Sequence, residues 1–107
     1  MNNQVNNQAK DDLVFQVKTL RDKVDRYFME EYTKKEKTIF KRYLDERYPT
    51  YRRGWGDKEY RASDILELLD PVLFKREMNE YYEEESVSLE KKIAELESEL
   101  NNIRLIN

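Results

Sequence analysis

Every glycine and proline in this 107-residue chain falls between positions 49 and 71: Pro49, Gly54, Gly56 and Pro71. Gly and Pro are the residues with the heaviest helix penalties, so on either side of that window almost nothing stops a helix. Charged residues make up 40% of the chain and hydrophobic ones 38%. That apolar share is too poor for a broad core, but it suffices for the narrow stripe of an amphipathic helix. The expected fold class is therefore all-α. Three to four helices (about 11–47, 63–69, 71–85 and 87–105) would form a helical hairpin or bundle, with an irregular loop at 48–62.

Local patterns place the boundaries. Residues 1–10 are dominated by Asn and Gln and are expected to be a disordered arm, leaving 11–107 as a single helical domain. Asp11-Asp12 suits a helix N-terminus, and Leu13, Val17, Leu20, Val24 and Tyr27/Phe28 follow in steps of three or four. The stripe falters at Glu31 to Lys35 and resumes at Ile39-Phe40 and Tyr43-Leu44. Thr33-Lys34-Lys35-Glu36 has the form of a capping box, which would allow a break there. With no Gly or Pro nearby, one helix over 11–47 is the favoured reading. In the loop, Tyr51–Arg53 could pair with Glu59–Arg61 as a short hairpin. Ser63 reads as an N-cap, and Asp70-Pro71 as a capping carboxylate followed by proline at the first helical position. Ser86 and Ser88 could cap a last helix, unless the preceding one simply continues.

That last stretch is the most regular in the chain. Leu89, Ile93, Leu96, Leu100 and Ile103 are spaced like the a and d positions of a coiled coil. In a parallel pair Lys92 would face Glu97, and Glu99 would face Arg104, both attractively. Self-association through this seam is one reading, giving a parallel homodimer over 89–103. The other is an intramolecular hairpin, in which the seam packs on the Leu13–Phe28 stripe of its own chain.

Much chemistry is absent from the sequence. With no His and no Cys, the usual proton shuttle, the activated Ser and Cys nucleophiles and nitrogen or sulfur metal sites are missing. Gly54-Trp55-Gly56 does not extend to a dinucleotide-binding pattern, and no phosphate-cradling loop is present. Carboxylates are plentiful but fall on helices that read as solvated. No enzymatic activity, no cofactor and no metal are expected. The longest apolar runs, Leu13-Val14-Phe15 and Val72-Leu73-Phe74, are far too short to span a bilayer, and the polar N-terminus lacks a signal-peptide core. The expected setting is soluble and cytoplasmic.

A net charge of −3 conceals strong segregation. Residues 31–62 carry ten basic and six acidic groups, whereas residues 63–100 carry four basic and twelve acidic. Two surfaces could therefore bind a partner. The first is the basic, aromatic segment 34–61, with Arg47, Tyr51, Arg52, Arg53, Trp55, Lys58, Tyr60 and Arg61 as its candidate contacts. Arg beside aromatic rings suits a protein hot spot, and equally suits phosphate neutralisation and base stacking. The same rings could instead close the end of the bundle, with the charges merely solvated. The second is the acidic row Glu77, Glu80 and Glu84, spaced to share a helix face. Such a row can imitate DNA phosphates, or be an ordinary solvated face.

The phrase Arg61-Ala-Ser-Asp-Ile-Leu-Glu-Leu-Leu-Asp-Pro-Val-Leu-Phe-Lys-Arg-Glu-Met-Asn-Glu-Tyr81 resembles a stretch in short uncharacterised proteins of phages and other mobile elements. It covers about a fifth of the chain. The resemblance implies an accessory protein of phage type and carries no activity with it. Together these features lead us to expect a small non-catalytic binding protein with a protein partner. Its concrete form would be a phage-type inhibitor of a host nucleic-acid-processing or CRISPR-type defence enzyme. The alternatives are a nucleic-acid-binding accessory protein using 34–61 and a coiled-coil structural adaptor.

Overall fold

The structure is a computed structural model and describes residues 2–48, 51–52 and 59–106. The fold is all-α, with four helices among the described residues: α1 Asn2–Phe28, α2 Lys34–Arg47, α3 Ala62–Leu69 and α4 Pro71–Ile106. Between α2 and α3 lies a minimal antiparallel hairpin, β1 Tyr51–Arg52 with β2 Glu59–Tyr60, pairing Tyr51 with Tyr60 and Arg52 with Glu59. The chain divides into two compact units. One comprises residues 1–30 and 83–107, the other 31–82.

The first unit is a helical hairpin. Leu13 and Val17 of α1 form a buried cluster with Ile93, Leu96 and Leu100 of α4, and Val14, Leu20, Val24 and Ile103 pack against it. The coiled-coil-like seam is thus satisfied by the stripe on α1 within one chain. Glu97, which a parallel partner would have matched to Lys92, instead forms an ion pair with Arg21 of α1. Leu89 is only half-buried.

The second unit is built on aromatic rings. Phe40 of α2 is 1% exposed and meets Phe74 of α4 edge-on at 5.4 Å between centroids. Tyr81 lies 5.6 Å from Phe40 and 4.8 Å from Tyr43. Tyr32 stacks on Tyr82 at 4.9 Å. Such offset and edge-on pairs are each worth about 0.5–1.5 kcal/mol beyond their burial. The polar tips are satisfied: the Tyr82 hydroxyl donates to the Glu36 carbonyl, and the Tyr32 hydroxyl donates to Asn79 Oδ1 at 2.6 Å.

Three boundaries differ from the sequence reading. First, 11–47 is not one helix. α1 ends at Phe28, Glu30 takes the left-handed conformation (φ 57°), and its N–H bonds to the Tyr27 carbonyl at 3.0 Å. Gly is the usual residue for this role, because a side chain there costs roughly 1–2 kcal/mol. Glu30 does it without Gly, so the break leaves no glycine to read. The capping box then starts α2: the Thr33 hydroxyl accepts from the Glu36 N–H at 3.1 Å, and the Glu36 carboxylate accepts from the Thr33 N–H at 2.8 Å. Second, α1 begins at Asn2 rather than near Asp11. Asn and Gln cost at most about 0.7 kcal/mol each in a helix, and a helix already nucleated adds one hydrogen bond per residue. Third, 71–85 and 87–105 are a single helix. Ser86 and Ser88 lie inside α4, and no Gly or Pro interrupts it.

The start of α4 matches its sequence signal, with Asp70 Oδ1 accepting from the Leu73 N–H at 3.0 Å. The start of α3 does not. Arg61 is the N-cap and makes no side-chain cap bond, while Ser63 sits inside the helix, fully buried. Asp45 of α2 caps from a distance: its carboxylate accepts from the Ser63 N–H at 2.9 Å and from the Ser63 hydroxyl at 3.0 Å. Asp45→Ala would leave two buried donors unpaired and should destabilise the chain by about 1–3 kcal/mol in urea unfolding. A change below the error of that measurement would mean that α3 does not depend on this cap.

Candidate functional site

The basic segment is partly consumed by the fold. Lys37 and Lys41 of α2 reach across to α3: Lys37 pairs with Glu67, and Lys41 with Asp64 at 2.5 Å and Glu67 at 3.4 Å. The hydrogen-bonded Asp64 carboxylate holds the Lys41 ammonium above the usual lysine range, against the opposing pull of burial. The hydrogen bond from Lys37 likewise holds the Glu67 carboxyl below the usual glutamate range. Pairs this exposed contribute about 0–1 kcal/mol each, so they orient α3 more than they stabilise it.

Of the predicted contacts, Arg47 lies over the Tyr43 ring at 4.7 Å and is exposed, as are Tyr60 and Arg61. The hairpin brings Tyr51 and Arg52 opposite Tyr60 and Glu59. Arg53, Trp55 and Lys58 lie outside the described residues. Lys34, Lys35 and Arg42 are exposed on α2. Beside α3, a polar cleft of about 510 Å³ takes in Arg42, Arg61, Asp45 and Asp64. Both of those carboxylates are already engaged, Asp45 by Ser63 and Asp64 by Lys41. On α4, Glu77, Glu80 and Glu84 are all exposed. Ile93, Leu96 and Leu100 of the proposed self-association seam are buried within the chain.

The surface that the sequence reading did not single out lies on another side of α3. A half-open groove of about 340 Å³ is walled by Leu44 and Tyr48 at the end of α2, by Ile65, Leu66 and Leu69 of α3, and by Leu73 of α4, with Glu77 as its charged member. Next to its walls in the chain, Leu68 is 81% exposed and Val72 77%, and Leu69, itself a wall residue, is 75% exposed. The signal was present as Ile65-Leu66-Glu67-Leu68-Leu69, which has too many apolar residues for a one-sided helix of eight. One face packs on α2, and the surplus leucines are left outside. Exposed apolar side chains gathered around an apolar groove are a usual mark of an interaction surface.

Among the described residues, no helix is long and apolar enough to cross a membrane, and no group of three or more carboxylates is placed to hold a metal ion. No family model, no curated protein and no solved structure matches the chain. The site therefore has to be read from its own chemistry.

Proposed function

We propose that this chain is a non-catalytic binding module that docks onto a protein through the apolar groove beside α3. The observation that carries this reading is the exposure of Leu68, Leu69 and Val72 next to a groove already walled by apolar side chains. Covering each such side chain is worth about 1.5–3 kcal/mol, which a docked partner would supply. More particularly, we propose a phage-type inhibitor whose target is a host nucleic-acid-processing or defence enzyme. The support for this is the charge segregation and the mobile-element likeness of residues 61–81, the stretch that supplies α3 and the α4 wall of the groove. The nucleic-acid reading has less to work with, since Lys37 and Lys41 are engaged by acidic residues of the same chain.

Photo-crosslinking in producing cells tests the docking reading. A photoreactive residue at position 68 should give one discrete protein adduct. The same residue at exposed Lys18 should not, and Leu69→Asp should abolish the adduct from position 68. Equal adduct patterns from positions 68 and 18 would remove the groove from the function. An adduct partner with no role in nucleic-acid processing or defence would keep the docking and remove the inhibitor reading.

A further inference from the structure

The groove also indicates what kind of element occupies it. Strand addition needs an exposed sheet edge. The described strands are two residues long, too short an edge for an extended peptide to build a ladder on. A polyproline segment needs a groove lined with aromatic rings, and among the described residues Tyr48 is the single ring on these walls. Phospho-motif recognition needs clustered Arg, and among the described residues the walls contain none. What remains is a helix laid in a groove, the mode that reads apolar anchors at i, i+3 or i+4, and i+7. The walls suit it, because Leu66 and Leu69 on α3 and Leu73 on α4 offer apolar side chains from helices on two sides.

Charge then fixes the flank of that helix. Glu77 closes the apolar floor, and Glu80 follows it one turn along the same face of α4. Both are exposed, and neither has an ion-pair partner among the described residues. Arg76 lies in line with Val72 and four residues before Glu80, so it borders the acidic pair on one side and leaves Glu77 as the centre of the acidic contact. Resting on the docking reading above, we infer that the groove takes an amphipathic α-helix of the partner. Its Leu-like anchors enter between α3 and α4, and its Lys or Arg residues meet Glu77 and Glu80. An anionic membrane surface is disfavoured by those same two carboxylates.

Three synthetic peptides test this on the full chain, each of about 15 residues, the length at which an isolated helix becomes viable. The first carries Leu at i, i+3, i+4 and i+7 with Lys flanks. The second replaces every Lys with Glu. The third has the first peptide's composition with its Leu order scrambled. Added to the ¹⁵N-labelled protein, the Lys peptide should shift the amide resonances of Leu66, Leu69 and Leu73, and bind about tenfold or more tighter than the Glu peptide. In the Glu77→Gln, Glu80→Gln double variant, that ratio should fall towards one. Equal binding of the Lys and Glu peptides, equal binding of the scrambled peptide, or no binding at all would overturn the inference. So would shifts of the same resonances on raising the protein concentration alone, which would assign the groove to a second copy of the chain. If position 68 still crosslinks a cellular protein when the peptides fail, docking stands and only the helical, basic occupant is lost.

Discussion

Phe40→Ala is expected to cost about 3–5 kcal/mol of folding free energy, the range for removing a fully buried phenylalanine. Phe40 is 1% exposed and touches Phe74, Tyr43 and Tyr81, so its removal opens a cavity among rings that cannot all move inward together. Because small folded chains hold only about 5–15 kcal/mol in total, such a loss would be plain in a urea titration followed by helical circular dichroism. Phe15→Ala supplies the contrast. That ring is 71% exposed, and substitutions at such surface positions usually stay within about 0.5 kcal/mol. If both variants unfolded at the same urea concentration, the ring cluster could not be the core of the second unit.

The second large effect belongs to the first unit. Leu96 is 4% exposed in the cluster with Leu13, Val17, Ile93 and Leu100, and Leu96→Ala should lower stability by about 2–5 kcal/mol. An intramolecular hairpin also makes a statement about concentration. Its unfolding midpoint should be the same at low and high protein, whereas a dimer held by this seam would gain stability as protein is added. A midpoint that climbs with concentration in the parent chain and stays flat in Leu96→Asp would return the seam to self-association between chains.

Part of the fold was legible where a boundary is written in side chains, though Ser63, Ser86 and Ser88 offer cap signals that the helices do not use. Asp70-Pro71 and the spacing of Ile93, Leu96, Leu100 and Ile103 appear in the structure at the residues that carried them, and the Thr33–Glu36 capping box is formed where the sequence reading favours an unbroken helix. What could not be read was written in the backbone or in a distant partner. The end of α1 depends on a left-handed Glu30, a conformation that a glutamate does not announce. The start of α3 depends on Asp45, eighteen positions before the Ser63 it holds. The spacing of the C-terminal seam could not decide between a partner on another chain and one on its own, because both offer the same apolar stripe. The groove went unread for another reason. Periodicity asks which face of a helix is apolar, and α3 is apolar on more than one. The basic segment looked freer than it is, since α3 supplies Glu67 and Asp64 to two of its lysines.

The two units also differ in what light they absorb. The buried cluster of the first is aliphatic, built from leucine, isoleucine and valine, although the unit also buries Tyr27. The second gathers Tyr32, Tyr43, Tyr81 and Tyr82 with Phe40 and Phe74 into ring-to-ring contact. Rings held in fixed, asymmetric contact give a near-ultraviolet dichroism that vanishes when packing is lost, whereas backbone helicity is reported in the far ultraviolet. One unlabelled sample of a Tyr27→Phe variant therefore carries two readouts: a tyrosine band that follows the second unit, and a helical band that follows both units together. Where the two bands melt at different temperatures, the gap between them measures how separately the two cores come apart.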